Sequence, residues 1–271
     1  ARELCLGSET YREDMPNAPA AAHALAVLQL LARHAEPVPA ATIARELDLP
    51  RSSTYHLLAV LRDAGFVSHL GERRRWGLGV AAFELGSAYS RQGPLQRVAR
   101  PALARLVDET THNAHLVVLH GRDVLYVIEE RAPRRPSLVT DVGVRLPATI
   151  TASGLAILAA LPAAQVRALF PSRADFVQRD GHGPTSLTAL RSELAQVRGR
   201  GYALEQGSVT SGFASVAAAV LDHNGHPLAG LAVTYPHTDE APIDGAEHAR
   251  LVTGVRRAAG DLSRRLGHRA S

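Results

Sequence analysis

Residues 41–67, ATIARELDLPRSSTYHLLAVLRDAGFV, leave the chain few choices of fold. They read as two helices joined by a tight turn and followed by the start of a strand. Leu47 and Leu49 close the first helix and its turn, and Pro50 cannot continue a helical hydrogen-bond ladder. Ser52 and Ser53 offer cap hydroxyls at the start of the second helix. On that helix Thr54, Leu57, Leu58 and Leu61 recur at helical spacing and are expected to face a core. Arg51, Ser52, Ser53, Tyr55 and His56 are left around its exposed N-terminal turns. Donor-rich side chains there are what major-groove reading requires. Gly65 stands where a helix ends in a left-handed residue, and Phe66-Val67 opens a strand.

A plain helical hairpin with a solvated polar face would share much of this pattern. The adjoining segment favours the DNA-binding reading. Residues 67–80 form a strand, a turn and a second strand, with Arg73, Arg74 and Arg75 at the turn. A basic hairpin directly after a helix-turn-helix is placed to touch backbone phosphate. Net charge alone points nowhere in particular: residues 18–79 hold seven Arg against five acids, about +2.

In this order the motifs resemble the IclR family of bacterial transcriptional regulators. ALAVLQLLARH (24–34), residues 41–67 and RWGLGVAAFELG (75–86) resemble its winged helix-turn-helix. PATITASGLAILAALP (147–162), GYALEQGSVTSGFASVAAAVLDHNGHPLAGLAVTYP (201–236) and a closing helix resemble its GAF-like effector domain. His23 and His56 stand where members usually carry Arg. The resemblance implies an α+β chain in four parts: an arm (1–17), a winged helix-turn-helix (18–79), a linker and dimerisation helix (80–93) and an effector domain (94–268). It implies a cytoplasmic regulator of a catabolic operon, more often a repressor, acting as a dimer or dimer of dimers on a near-palindromic operator.

The residues of the second part read independently as antiparallel strands flanked by helices. Strands are expected at 115–121, 123–131, 137–146, from 201, at 215–222 and at 228–236. Asn224-Gly225 marks a hairpin turn. In the first helix, from Pro19 to His34, Leu25, Leu28 and Leu31 or Leu30 are expected inside. The helix 80–91 exposes Phe83 with Leu85 or Ala82 and Tyr89, and wants a partner helix.

Thr151, Ala152, Ser153 and Gly154 run into a helix start, where backbone N–H groups suit a carboxylate or acyl oxygen. A ligand-free Ser/Thr cap is the plainer reading of those residues. The resemblance makes them one wall of an effector pocket, with Glu205, Ser215 and Thr234 opposite. It implies a small organic acid or an acyl or aromatic effector, on which Tyr126 or Phe213 could stack. The alternative is a small-molecule hydrolase or zinc enzyme with an accessory DNA-binding domain. Against it, Thr151 stands where G-x-S-x-G needs its first Gly. His112, His115 and His120, or His223 and His226, have no Cys or acid at ligand spacing. No cofactor, metal or catalytic residue is expected. No apolar run reaches membrane-spanning length, and the lone Cys5 cannot form an intrachain disulfide.

Overall fold

The structure is a computed structural model that describes residues 18–71, 74–92, 94–135, 140–179, 181–237 and 245–269. The expected arm 1–17, Arg73, residues 137–139 of one expected strand and the side chain of Tyr89 lie outside the described residues. The chain divides into two compact units, Ala1–Gln92 and Gly93–Ser271.

In the first unit α1 (Pro19–Arg33) packs with α2 (Ala40–Glu46) and α3 (Arg51–Asp63). A three-stranded antiparallel sheet joins them, in the order β1 (Val38–Pro39), β3 (Arg75–Leu78), β2 (Val67–Leu70). Both α2 and α3 end in the same way. Asp48 and Gly65 adopt left-handed φ of 52° and 75°. The next N–H then reaches back to the helix, Leu49 to the Ala44 carbonyl at 2.9 Å and Phe66 to the Leu61 carbonyl at 2.8 Å. These two caps turn the chain sharply from α2 into α3 and from α3 into the wing. The core is Val27, Leu30, Leu31, Ile43, Leu58, Leu61 and Trp76. Each fully buried Leu or Ile contributes about 1.5–3 kcal/mol.

Three local expectations are corrected here. Leu25 is exposed and Val27 takes its place inside α1, because α1 meets the sheet through the 27/30/31 face. Ser52 and Ser53 are not caps: Pro50 is the cap residue, and the two serines already lie within the first turn of α3. Val38-Pro39, where no strand is expected, is a short strand paired to Trp76 and Arg75. α4 (Val80–Gln92) comes after the wing and leaves Val80, Phe83 and Leu85 exposed.

The second unit has three layers. Its sheet is antiparallel, in the order β6 (Arg145–Pro147), β5 (Asp123–Glu130), β4 (Asn113–His120), β9 (Pro227–Pro236), β8 (Phe213–Leu221), β7 (Ala203–Gln206). Of the strand expected at 137–146, the described residues begin a ladder at Arg145, which runs on to Pro147 against Leu125 to Asp123, with Gly143 and Val144 bonded to Tyr126 just before it. On one face α5 (Pro94–Thr110) and α9 (Ala246–Arg265) cover Leu116, Ile128, Val216, Val220, Leu231 and Val233. On the other, α6 (Ala152–Ala160) and α8 (Leu187–Arg200) cover Val117, Val124, Ala217 and Ala232. α7 (Ala163–Leu169) lies between them in the chain. α6 is apolar on all sides and is buried from Ala152 to Ala159, as such a helix must be. The helix comes very close to the sheet: a Cβ added at Gly230 of β9 would sit 2.5 Å from the Ser153 carbonyl oxygen.

Candidate functional site

Two regions bring candidate residues together, one in each unit. In the first, Arg51, Ser52, Ser53, Tyr55 and His56 are all exposed on the opening turns of α3. Thr54, between them, is fully buried, and its hydroxyl donates to the Pro50 carbonyl at 3.1 Å. Burial of Thr54, Leu58 and Leu61 fixes the rotation of α3, and that rotation presents the polar set outward. In the wing, Arg74 occupies the turn with φ 48°. Arg75 is directed elsewhere, its guanidinium donating to the Pro37 carbonyl at 3.0 Å. That bond ties the wing to the start of β1 and uses part of the donor set expected to meet phosphate.

In the second unit, side chains of alternate residues converge on the face beneath α6. Register places Glu205 of β7 opposite Ser215, Ser215 of β8 opposite Thr234, and His115 of β4 opposite Ala232 of β9. These residues line a cavity with Tyr126, Thr140, Thr151, Ala152, Ser153, Val209, Thr210 and Phe213. The cavity is narrow. Gly154 lies behind the wall. A Cβ there would stand 2.2 Å from the Ala148 carbonyl oxygen, so glycine lets the chain fold tightly into α6.

Most of the polar groups are bonded to one another. The Ser215 hydroxyl donates to Glu205 Oε1 at 2.8 Å and lies 3.0 Å from the Thr234 hydroxyl. Glu205 Oε2 accepts the Ser208 N–H at 3.1 Å. Burial holds the Glu205 carboxyl above its usual range, and these hydrogen bonds together with His182 draw it back in part. Thr151 caps α6 by accepting the Gly154 N–H at 3.1 Å, so its hydroxyl already has a partner and one expected anion-binding N–H is taken. Tyr126 and Ser153 both line the cavity, and burial pushes the Tyr126 phenol up from its ordinary range. On its outer side Glu205 also lines an open groove with His182, Glu193 and Arg200.

His115, Thr140, Thr210 and Val209 were missed as site residues by sequence reasoning. The parity of His115 with Val117 puts it on the face beneath α6, but nothing local says that this face leaves a cavity at that point. The histidines 112, 115 and 120 do not converge. His112 meets Glu247 of α9 at 3.3 Å, His120 meets Arg145 at 2.8 Å, and His115 faces α6. Among the described residues no three His, Cys, Asp or Glu side chains are placed to hold a metal ion, and no helix is long and apolar enough to cross a membrane.

Residues 20–71 match the family described as the IclR helix-turn-helix domain, and residues 87–264 match the bacterial transcriptional regulator IclR C-terminal domain. The glycerol operon regulatory protein of Streptomyces griseus is 33% identical over 244 residues, covering 90% of this chain and 94% of that one. The HTH-type transcriptional repressor AllR of Klebsiella pneumoniae is 28% identical over 249 residues, covering 90% and 88%. Among solved structures, an IclR homolog from Microbacterium hydrocarbonoxydans complexed with 4-hydroxybenzoate superposes with a TM-score of 0.75. It is 25% identical, with 91% of this chain and 98% of that one covered.

Proposed function

From the chain's membership of the IclR family of bacterial transcriptional regulators, we infer that it represses a catabolic operon in the cytoplasm and is released by a small organic effector. α3 enters the major groove through Arg51, Ser52, Ser53, Tyr55 and His56, while the Arg73–Arg75 wing lies along the phosphates. The effector, an organic acid or an acyl or aromatic compound, seats in the cavity beneath α6 between Ser153 and the Glu205–Ser215–Thr234 row. It acts through its difference in affinity between two arrangements of the DNA-binding domains. No catalytic step is assigned: Thr151 stands where a nucleophile elbow needs its first Gly, and the family is one of transcriptional regulators.

The observation that carries this reading is the exposed polar set held on α3 by the fully buried Thr54 and Leu58. Arg51→Ala and Tyr55→Ala are each expected to weaken specific operator binding by about 1–3 kcal/mol. Fluorescence anisotropy with operator and scrambled duplexes measures it, and equal affinities of both variants and wild type for operator would take α3 out of the groove.

Assembly belongs to the same proposal. Val80 and Phe83 are 67% and 75% exposed one turn apart on α4, and Leu85 is 63% exposed. An apolar helix face of this kind calls for a partner, and a second copy of α4 across a two-fold axis matches a near-palindromic operator. Light scattering at micromolar concentration is expected to give a dimer or tetramer, with Phe83→Asp shifting it toward monomer. A monomeric wild type, with and without DNA, would contradict the pairing.

A further inference from the structure

Tracing each polar group of the cavity to its partner leaves one end unmet. Glu205, Ser215, Thr234 and Thr151 are bonded among themselves or to backbone. His115 is 1% exposed, and neither of its ring nitrogens has a hydrogen-bond partner among the described residues. The Thr140 hydroxyl, 4% exposed and lining the same cavity, has none either. Buried polar atoms are nearly always paired, so two such side chains at one cavity wall require an explanation.

Their chemistry narrows what they receive. Burial, with the nearby Arg131 charge, holds the His115 imidazole down at about 4. It is therefore neutral under ordinary conditions, with one N–H to give and one lone pair to take. The Thr140 hydroxyl also both gives and takes. Among the described lining residues there is no Arg, and the one acid among them, Glu205, stands three strand spacings away across β9 and β8, roughly 14 Å between backbones. Arg131, whose charge reaches His115, is already paired with Glu129 at 2.8 Å and Asp141 at 3.6 Å, so it is engaged rather than offered to an anionic group at this end. The His115 ring instead stands edge-on to Tyr126 at 5.7 Å, and Ala152, Ala232 and Val209 supply apolar wall.

We propose that His115 and Thr140 are the polar anchor of the effector cavity, selecting a ligand whose inner end is an uncharged hydroxyl, phenolic or alcoholic, on an apolar body. The assignment rests on the cavity being the effector site. It adds a residue pair and a head-group chemistry that the Glu205–Ser215–Thr234 row does not specify. A site built to bond a hydroxyl rejects the analogue that lacks it, because its own groups are then left unpaired.

The test uses the full chain, calorimetric titration and probes matched but for one hydroxyl: 4-hydroxybenzoate against benzoate, and 4-hydroxybenzamide against benzamide. Wild type is expected to bind the hydroxylated member of at least one pair tenfold or more tightly. His115→Leu should bring that ratio within about twofold, and Thr140→Val should lower it. The unliganded melting temperature of His115→Leu should stay level or rise, since an unpaired buried polar ring is replaced by an apolar side chain. Equal affinities within both pairs, no binding of either hydroxylated probe, a ratio untouched by His115→Leu and Thr140→Val, or a melting temperature several degrees lower in His115→Leu would each overturn the anchor. Ser215→Leu, at the other end, separates the two readings. If it abolishes binding while His115→Leu leaves the ratio intact, the cavity stands and the anchor falls. If it leaves binding of a hydroxylated probe unchanged, the cavity is not the effector site.

Discussion

Gly230→Ala is expected to destabilise the effector domain by about 3 kcal/mol, at the upper end of what overpacking costs. The added methyl would lie 2.5 Å from the Ser153 carbonyl oxygen and 3.0 Å from the Ser153 carbonyl carbon and Cβ. Two of these are backbone atoms, so no rotamer change relieves the contact, and α6 must lift from β9. Lifting it moves Thr151, Ala152 and Ser153, which form the helix side of the cavity. Stability and effector binding should therefore fall together. Gly199→Ala is the control: this glycine lies within α8, is exposed, and has nothing within 4 Å of an added Cβ. Alanine there should be neutral or stabilise by about 0.5–1 kcal/mol through helix propensity. Urea unfolding of the three proteins decides the matter. A Gly230→Ala loss below about 1 kcal/mol would mean the helix and sheet are not in close contact.

The protein is also expected to lose about 3 kcal/mol of stability through His115 alone between pH 6.5 and 4. The unfolded chain takes up a proton at this residue near its ordinary value of 6.5, whereas the folded chain refuses it until about 4. The unfolded state thus binds more protons in that window, and stability rises with pH. The contribution is complete above pH 6.5 and is lost as pH falls through the interval. His112, also held low chiefly by burial, acts with the same sign. Glu205 acts oppositely: its carboxyl is held above the usual range, so its ionisation costs stability as pH rises. Urea midpoints at pH 7, 5.5 and 4.5 for wild type and His115→Leu isolate the histidine. The variant should gain on wild type as pH falls, and parallel pH dependences would sink the assignment.

Much of the first unit was legible because its signals are local. Thr54, Leu58 and Leu61 mark the buried face of α3 by spacing alone, and Gly65 marks its end. Val38-Pro39 was not legible as a strand. Two residues carry no periodicity, and only the Trp76 strand they pair with makes them one. The same holds for Leu25 and Val27, both apolar and separated by the side from which the sheet arrives. In the second unit, Asn224-Gly225 announced the β8–β9 hairpin, with Gly225 at φ 79°. Within the described part of the strand expected over 137–146, the ladder register begins at Arg145, because Gly143 and Val144 form a turn that bonds back to Tyr126.

By itself the sequence determined which residues are polar on the recognition helix and where the helices and hairpins turn, while Glu205, Ser215 and Thr234 were set opposite the α6 start only through the family resemblance. Side-chain parity and helical period are properties of a few consecutive residues, and they survive without knowledge of the fold. Tertiary structure alone decided that β4 lies beside β9, a pairing that joins residues more than a hundred positions apart. That pairing carries His115 to the cavity, and the approach of α6 over Gly230 closes it. Which polar groups then find partners depends on distances between strands far apart in the chain. For that reason Ser215 is satisfied by Glu205 and Thr234, while His115 has no partner among the described residues.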